Sequence, residues 1–343
     1  MTHNKSGWLR LLALLVGFGL FAAACGGGAE ESDAGDASGE GGSVEISGSS
    51  TVAPISTRVA ELFADENDAI TVNVDGPGTG DGFQLFCEGT TDISDASRAI
   101  KAEEAQACEE AGIEFIELKV AIDGLSVITS EENSDVECLN FADLYAIAGP
   151  ESQGIDNWSD AEKIAKELGS STDLPDAELT ITAPGEESGT YDSFVEIVLE
   201  TFTEDRGQEA ETRPDYQSSG DDNVILQGIT GSDTSFGWVG YAYAKEAEGV
   251  KMLPISKEPG GECVEPTEET IASGDYPIAR DLYIYANKAK AEENKAIAEY
   301  VDFYLSEAGI AAVSEVGYVS LTAEALEETR AAWTERKTGT SEG

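Results

Sequence analysis

Short blocks of alternating apolar and polar positions run along most of the chain, each followed by a block with helical spacing. Val44 and Ile46 stand two apart; Val52, Ile55, Val59, Leu62 and Phe63 then recur every three or four residues. The first spacing marks one face of a strand, the second one stripe of a helix. Ile70, Val72 and Val74 alternate before a glycine-rich turn, and a short helix is predicted from Phe83. Ile93 ends a short strand ahead of a helix over 101–111, and FIELKVAIDGLSVIT (115–129) is a long extended run. Leu179 and Ile181 lead into a helix carrying Phe194, Val195, Val198, Leu199 and Phe202. TSFGWVGYAYA (234–244) reads as a strand turning into a short helix, and ARDLYIYAN (279–287) as another strand. The C-terminal part is helical. This βα alternation, without an internal repeat, predicts an α/β protein with mainly parallel sheets.

Ligands of such sheets gather where strands end and helices begin. Three of these junctions carry glycines and hydroxyls: GSSTV (48–52), GPGTGDG (76–82) and ESGTYDSF (187–194). A helix start presents unpaired N–H groups and the positive end of the helix dipole, which suits an anion. Ser50, Thr51, Thr79, Ser188 and Thr190 add hydroxyls, and Gly189 allows close backbone approach. Serine and threonine are also ordinary helix caps, so one such turn says little; three at equivalent places point to a common ligand. GPGTGDG lacks the Gly-Lys-Ser/Thr of a nucleotide-phosphate loop and the spacing of a dinucleotide fingerprint. DISDASRAI (92–100) adds Ser97 and Arg98 at a fourth strand end. A guanidinium there can fork onto phosphate or carboxylate oxygens, or can pair with Asp95 or the glutamate-rich helix beyond.

Composition narrows the chemistry. His3 is the only histidine and lies in a basic start (His3, Lys5, Arg10) before the apolar run LLALLVGFGLFAAA (11–24). That start reads as a secretory signal over 1–24, too short for a membrane span of about 20 residues. Beyond it no histidine remains for a Ser-His-Asp or Cys-His centre or for a histidine-metal site. No metal or cofactor is expected. The AAAC ending resembles a bacterial lipobox with Cys25 as the lipidated residue; plain cleavage near Ala24 is the alternative. The segment 25–42, glycine-rich and acidic, reads as a flexible tether. Cys87, Cys108, Cys138 and Cys263 then form an even set in an oxidising exterior; Cys87–Cys108, which closes a local loop, and Cys138–Cys263 are the favoured pairs. The net charge of −48 excludes a nucleic-acid partner, since phosphate backbones are held by basic surfaces.

Taken in order, GSSTV, GTGDGF, DISDASRAI and ESGTYDSF resemble the phosphate-binding lipoproteins of the phosphate-specific ABC transporter, the PstS family. SSGDDNVILQGI (218–229), FGWVGYAYA (236–244) and YPIARDLYIY (276–285) extend the resemblance over nearly the whole folded part. It implies a type II periplasmic-binding-protein fold: two α/β lobes joined by two crossing strands, closing on one buried anion. The lobes are expected at 43–121 with 282–343, and at 122–281, with hinges near 119–125 and 279–285. Carried over by motif, the ligand residues are Ser50, Thr51, Thr79, Ser97, Arg98, Ser188, Gly189 and Thr190. Members of the family often have an aspartate where Ser97 stands and an arginine just before the Ser-Gly-Thr turn, where this chain has APGEE. Arg98 is the expected substitute cation. Asp221 is the expected acceptor of the phosphate proton, with Asp222 and Asp95 as rivals. The implied protein is a monomeric, non-enzymatic receptor lipid-anchored to the outer face of the bacterial cytoplasmic membrane. It would hand inorganic phosphate to membrane permease subunits. The alternatives are sulfate, molybdate or tungstate in the same fold, or a secreted hydrolase using Ser188 or Ser50.

Overall fold

The computed structural model describes residues 41–340; the leader, Cys25 and nearly all of the tether lie outside the described residues. The strands are β1 (Gly42–Gly48), β2 (Ile70–Asp75), β3 (Ile93–Ala96), β4 (Phe115–Ser130), β5 (Leu139–Asn140) and β6 (Thr180–Ala183). They continue with β7 (Gln217–Ser218), β8 (Ser235–Gly240), β9 (Val250–Met252), β10 (Ile255–Ser256) and β11 (Ala279–Asn287). Their order is β2-β1-β3-β11-β4-β8-β6-β7, with β9 also beside β4 and with β5 and β10 paired apart.

Two strands organise this order. β11 runs antiparallel to the first half of β4, from Ala279 opposite Gly124 to Asn287 opposite Phe115, with a bulge at Leu282/Tyr283. β4 then continues to pair with β8 and β9. One core lies on the β1 side, around Val44, Val59, Ile93, Leu118, Ile284 and Tyr300. The other lies on the β8 side, around Leu125, Phe194, Trp238 and Ile278. The chain therefore has the two α/β lobes and two crossing strands of the type II periplasmic-binding fold. Val319 and Leu321, late in the chain, pack into the second core. Val319 is tied there by reciprocal 2.9 Å backbone hydrogen bonds with Ile122.

Three local features differ from the periodicity reading. The sheet is mixed: β1–β2, β1–β3, β6–β7 and β6–β8 are parallel, whereas β4 and β11 are antiparallel to every neighbour. Side-chain alternation has period two in both kinds of ladder, so it carries no direction. Helix α1 (Ala53–Glu66) starts within the predicted pattern, but helix α2 spans Thr79–Cys87, a turn earlier than Phe83. Its first turn holds Gly80 and Gly82, poor helix formers, and is held by packing. A Cβ on Gly82 would stand 2.4 Å from the Gly48 Cα. Third, the C-terminal helical run is broken into separate helices, Lys295–Tyr304, Glu307–Glu315 and Ala323–Thr334.

Cys87 is bonded to Cys108, and Cys138 to Cys263. The first closes α2 onto helix α3 (Ala102–Glu110). The second spans 125 residues of sequence within the β8-side lobe, a loop whose closure is worth about 5 kcal/mol of chain entropy.

Candidate anion-binding site

The turn after β1 needs glycine at Gly48, whose φ is +154° and whose Cβ would lie 2.0 Å from the Asp95 carbonyl oxygen. Ser49 then does the local work. Its N–H donates to that carbonyl at 2.9 Å, and its Oγ accepts from the N–H groups of Thr51 and Val52. α1 begins at Ala53 without a side-chain cap, so the side chains of Ser50 and Thr51 turn to other partners. Ser50 Oγ donates across the cleft to Asp192 Oδ2 at 2.7 Å, and Thr51 is buried.

The second and third turns interlock beside the first. The Gly78 N–H donates to the Gly48 carbonyl at 2.8 Å. Thr79 Oγ1 accepts from the Ser97 N–H at 3.2 Å, and the two hydroxyls lie 3.0 Å apart. Both are buried.

In the other lobe, Ser188 caps the helix Gly189–Phe194 by accepting from the Thr190 N–H at 3.2 Å. This helix runs on through a π-helical turn, Val195–Leu199, into the helix Glu200–Arg206. Phe194, at the junction with the π-helical turn, anchors the run by stacking on Trp238, with centroids 4.1 Å apart. Gly189 faces Thr51 of the opposite lobe: a Cβ there would stand 3.1 Å from Thr51 Cα and 3.2 Å from its Oγ1. The turns of the two lobes are in contact.

Arg280 is the common neighbour of these turns, and its side chain is only 11 % exposed. It lies directly opposite Asp123 in the β4–β11 ladder, with Nε 3.4 Å from Asp123 Oδ2 and making no hydrogen bond. One terminal nitrogen donates to Thr51 Oγ1 at 3.1 Å and to Ser193 Oγ at 2.7 Å. The other is paired with the Glu196 carboxylate. Ser193 in turn donates to Asp123 Oδ2 at 2.5 Å. A cavity of about 700 Å³ opens here, lined by Thr79, Ser97, Arg98, Glu196, Glu200 and Arg280. A buried, always-charged fork beside hydroxyls and a helix start can hold a tetrahedral oxyanion.

Arg98 lines the same cavity but is otherwise engaged. Its guanidinium forks onto Glu104 at 2.8 and 2.7 Å and lies over the Phe83 ring. Of the two readings open for Arg98, the structure has the pairing with the glutamate-rich helix, and the cation where the lobes meet is Arg280. The sequence signal for Arg280 was a lone arginine inside an apolar strand, ARDLYIY; Asp123, in FIELKVAIDGLSVIT, gave the same kind of signal. Charges in such strands are buried and paired.

Asp221, the expected carboxylate, is not hydrogen-bonded to the first turn. Asp221 is exposed and caps the helix Asp222–Thr230, accepting from the N–H and side-chain amide of Asn223. Asp222 is partly buried, and its pKa is raised by burial and by Asp221 beside it. The carboxylate hydrogen-bonded to the first turn is Asp192. Burial holds its pKa above the usual range, with Glu196 adding to the rise and the Ser50 hydroxyl opposing it.

Asp95 turns away from the cleft. Its side chain is fully buried under α1, accepting from Ser56 Oγ at 2.9 Å, and burial pushes its pKa to about 7 despite that bond. A carboxyl raised in the folded state favours folding below its ordinary value of 3.8, and that contribution is lost as pH rises to about 7. The urea midpoint should therefore fall between about pH 4 and pH 7, and the Asp95→Asn variant should lack that part of the fall. Parallel wild-type and variant curves would show that Asp95 ionises freely in the fold.

A family model described as a PBP superfamily domain matches residues 32–308. Protein SphX of Synechocystis sp. is 34% identical over 300 residues, covering 87% of this chain and 84% of that protein. Phosphate-binding protein PstS of Staphylococcus saprophyticus is 33% identical over 315 residues, covering 92% and 90%. The crystal structure of a possible phosphate binding protein from Planctomyces limnophilus superposes with a TM-score of 0.76 at 34% identity, covering 87% of this chain and all of that one. The chain belongs to the PBP superfamily and, within it, to the PstS family of substrate-binding proteins.

Proposed function

We propose that the chain captures inorganic phosphate outside the cytoplasm by closure of its two lobes and delivers it to the permease of an ABC transporter. The observation that carries this reading is Arg280. It is a buried guanidinium at the crossing strands, touching hydroxyls from both lobes beside the Gly189 helix start. The named activity of the PstS relatives supports phosphate as the anion. Ser50, Thr51, Thr79, Ser97, Ser188, Gly189 and Thr190 surround the ligand, with Arg280 as the principal cation and Arg98 at the rim. Residues 43–121 with most of 282–343 form one lobe and 122–281, joined by the segment around Val319 and Leu321, the other, hinged near 119–125 and 279–285. Lipid attachment at Cys25 holds the monomer at the outer face of the cytoplasmic membrane, beside the permease. The role is binding rather than catalysis.

Asp192 replaces Asp221 as the proposed acceptor of the phosphate proton. At neutral pH phosphate retains a proton and sulfate does not. An ionised carboxylate, which only accepts, satisfies the first and repels the second. Sites built on such a bond discriminate by about 10⁴–10⁵.

Calorimetric titration of the phosphate-stripped protein tests both statements. Tight phosphate binding with sulfate rejected is expected, and Asp192→Asn should narrow the ratio by about a hundredfold or more. An unchanged ratio would remove Asp192 from this role. Tighter sulfate or molybdate would overturn the phosphate assignment.

A further inference from the structure

We infer that Glu196 is an internal competitor for the anion, a carboxylate that takes the edge of Arg280 an incoming oxyanion needs and so limits how long the anion is held. This rests on the phosphate reading of the site.

The geometry divides the surroundings of Arg280 into a fixed part and a movable one. Asp123 is fixed. It is 7 % exposed, lies opposite Arg280 in the strand ladder and accepts from Ser193. Thr51 and Ser193 occupy one terminal nitrogen. Glu196 takes the other, yet its side chain is 42 % exposed and can turn into water. It sits in the π-helical turn, one helical turn after Asp192, and lines the same cavity as Thr79, Ser97 and Glu200.

An oxyanion held between the turns and Arg280 meets a guanidinium already carrying a carboxylate. Two anions cannot share those N–H groups without strong repulsion, so binding must expel Glu196 and release lets it return. Such competition suits a receptor that must give up its cargo. It acts mainly on the dissociation rate, as most changes within one interface do.

Glu196→Gln keeps the shape and an acceptor oxygen but removes the charge. Glu204→Gln removes the same charge from an exposed position about two turns further along the same helical run. Inorganic phosphate is titrated into stripped wild-type protein and both variants, and dissociation is followed by stopped flow. Glu196→Gln should bind phosphate about tenfold more tightly and release it correspondingly more slowly, the effect of a partly exposed charge pair. Glu204→Gln should stay within about twofold of wild type. Unchanged or weaker binding by Glu196→Gln, as expected if Glu196 merely orients Arg280, would overturn the inference. Equal tightening by both variants would also overturn it, because the effect would then belong to the overall acidic field. Wild-type protein that fails to bind phosphate would instead bring down the functional reading beneath it.

Discussion

Replacing Arg280 by alanine is expected to lower phosphate affinity by about a thousandfold, some 4 kcal/mol. The guanidinium is the buried cation where both lobes meet, and charge-assisted bonds in a water-poor site are the strong ones. The substitution also leaves Asp123 buried opposite an uncharged residue, which costs about 3 kcal/mol of stability. The variant must therefore be shown folded, by its melting transition, before its affinity is read. Arg280→Lys retains the charge but not the planar fork, and should fall between wild type and alanine. Arg98→Ala should change affinity only a few-fold, because Glu104 already takes its fork. A larger loss from Arg98 than from Arg280 would reverse the assignment of the cation.

The second large effect is expected from Gly189→Val. Gly189 stands where the helix of one lobe meets the turn of the other, and even a single Cβ would press on Thr51 at 3.1 Å. A branched side chain cannot be absorbed there without parting the lobes, and a misplacement of about 1 Å can cost about a hundredfold. Gly189→Val should weaken phosphate binding by about that factor while the melting temperature of the phosphate-stripped protein stays near wild type. Its contact is between lobes, not within either core. Scattering should show the phosphate-bound variant more open than phosphate-bound wild type. Unchanged binding would mean that the anion is held without this approach of Gly189 to Thr51.

Much of this architecture was legible because strands and helices write different periods. Val44 and Ile46, then Val52 to Phe63, specify β1 and α1 directly, and the long run at 115–129 appears as β4. The hydroxyl turns were legible by composition, and they do lie at strand ends beside one another. What each hydroxyl does was not legible. Ser49 holds the turn that precedes the first helix and leaves Ser50 to reach across the cleft, a division among adjacent serines that depends on backbone angles fixed by Gly48 and Asp95.

Charged partners were the least legible feature, because pairing is set by tertiary placement. Arg98 stood in a promising turn, but Glu104 lies only six residues on and claims it. Arg280 stood in a plain strand, and only the crossing of β11 past β4 brings it to Asp123, Thr51 and Ser193. Asp221 and Asp192 are each near a helix start. One faces outward, and the other meets a serine from 142 residues away. The buried Asp95 was likewise invisible locally, since its burial depends on α1 folding over β3.

If the receptor works as proposed, one oxyanion sits between the turns of the two lobes on Arg280. The most direct test is a crystal structure of the stripped protein grown with arsenate, a phosphate analogue whose anomalous scattering locates it without ambiguity. One strong anomalous peak is expected within hydrogen-bonding distance of Arg280 and of the helix start at Gly189. A peak held by Arg98 away from Arg280, or no peak in the cleft at an arsenate concentration that saturates binding in solution, would contradict it.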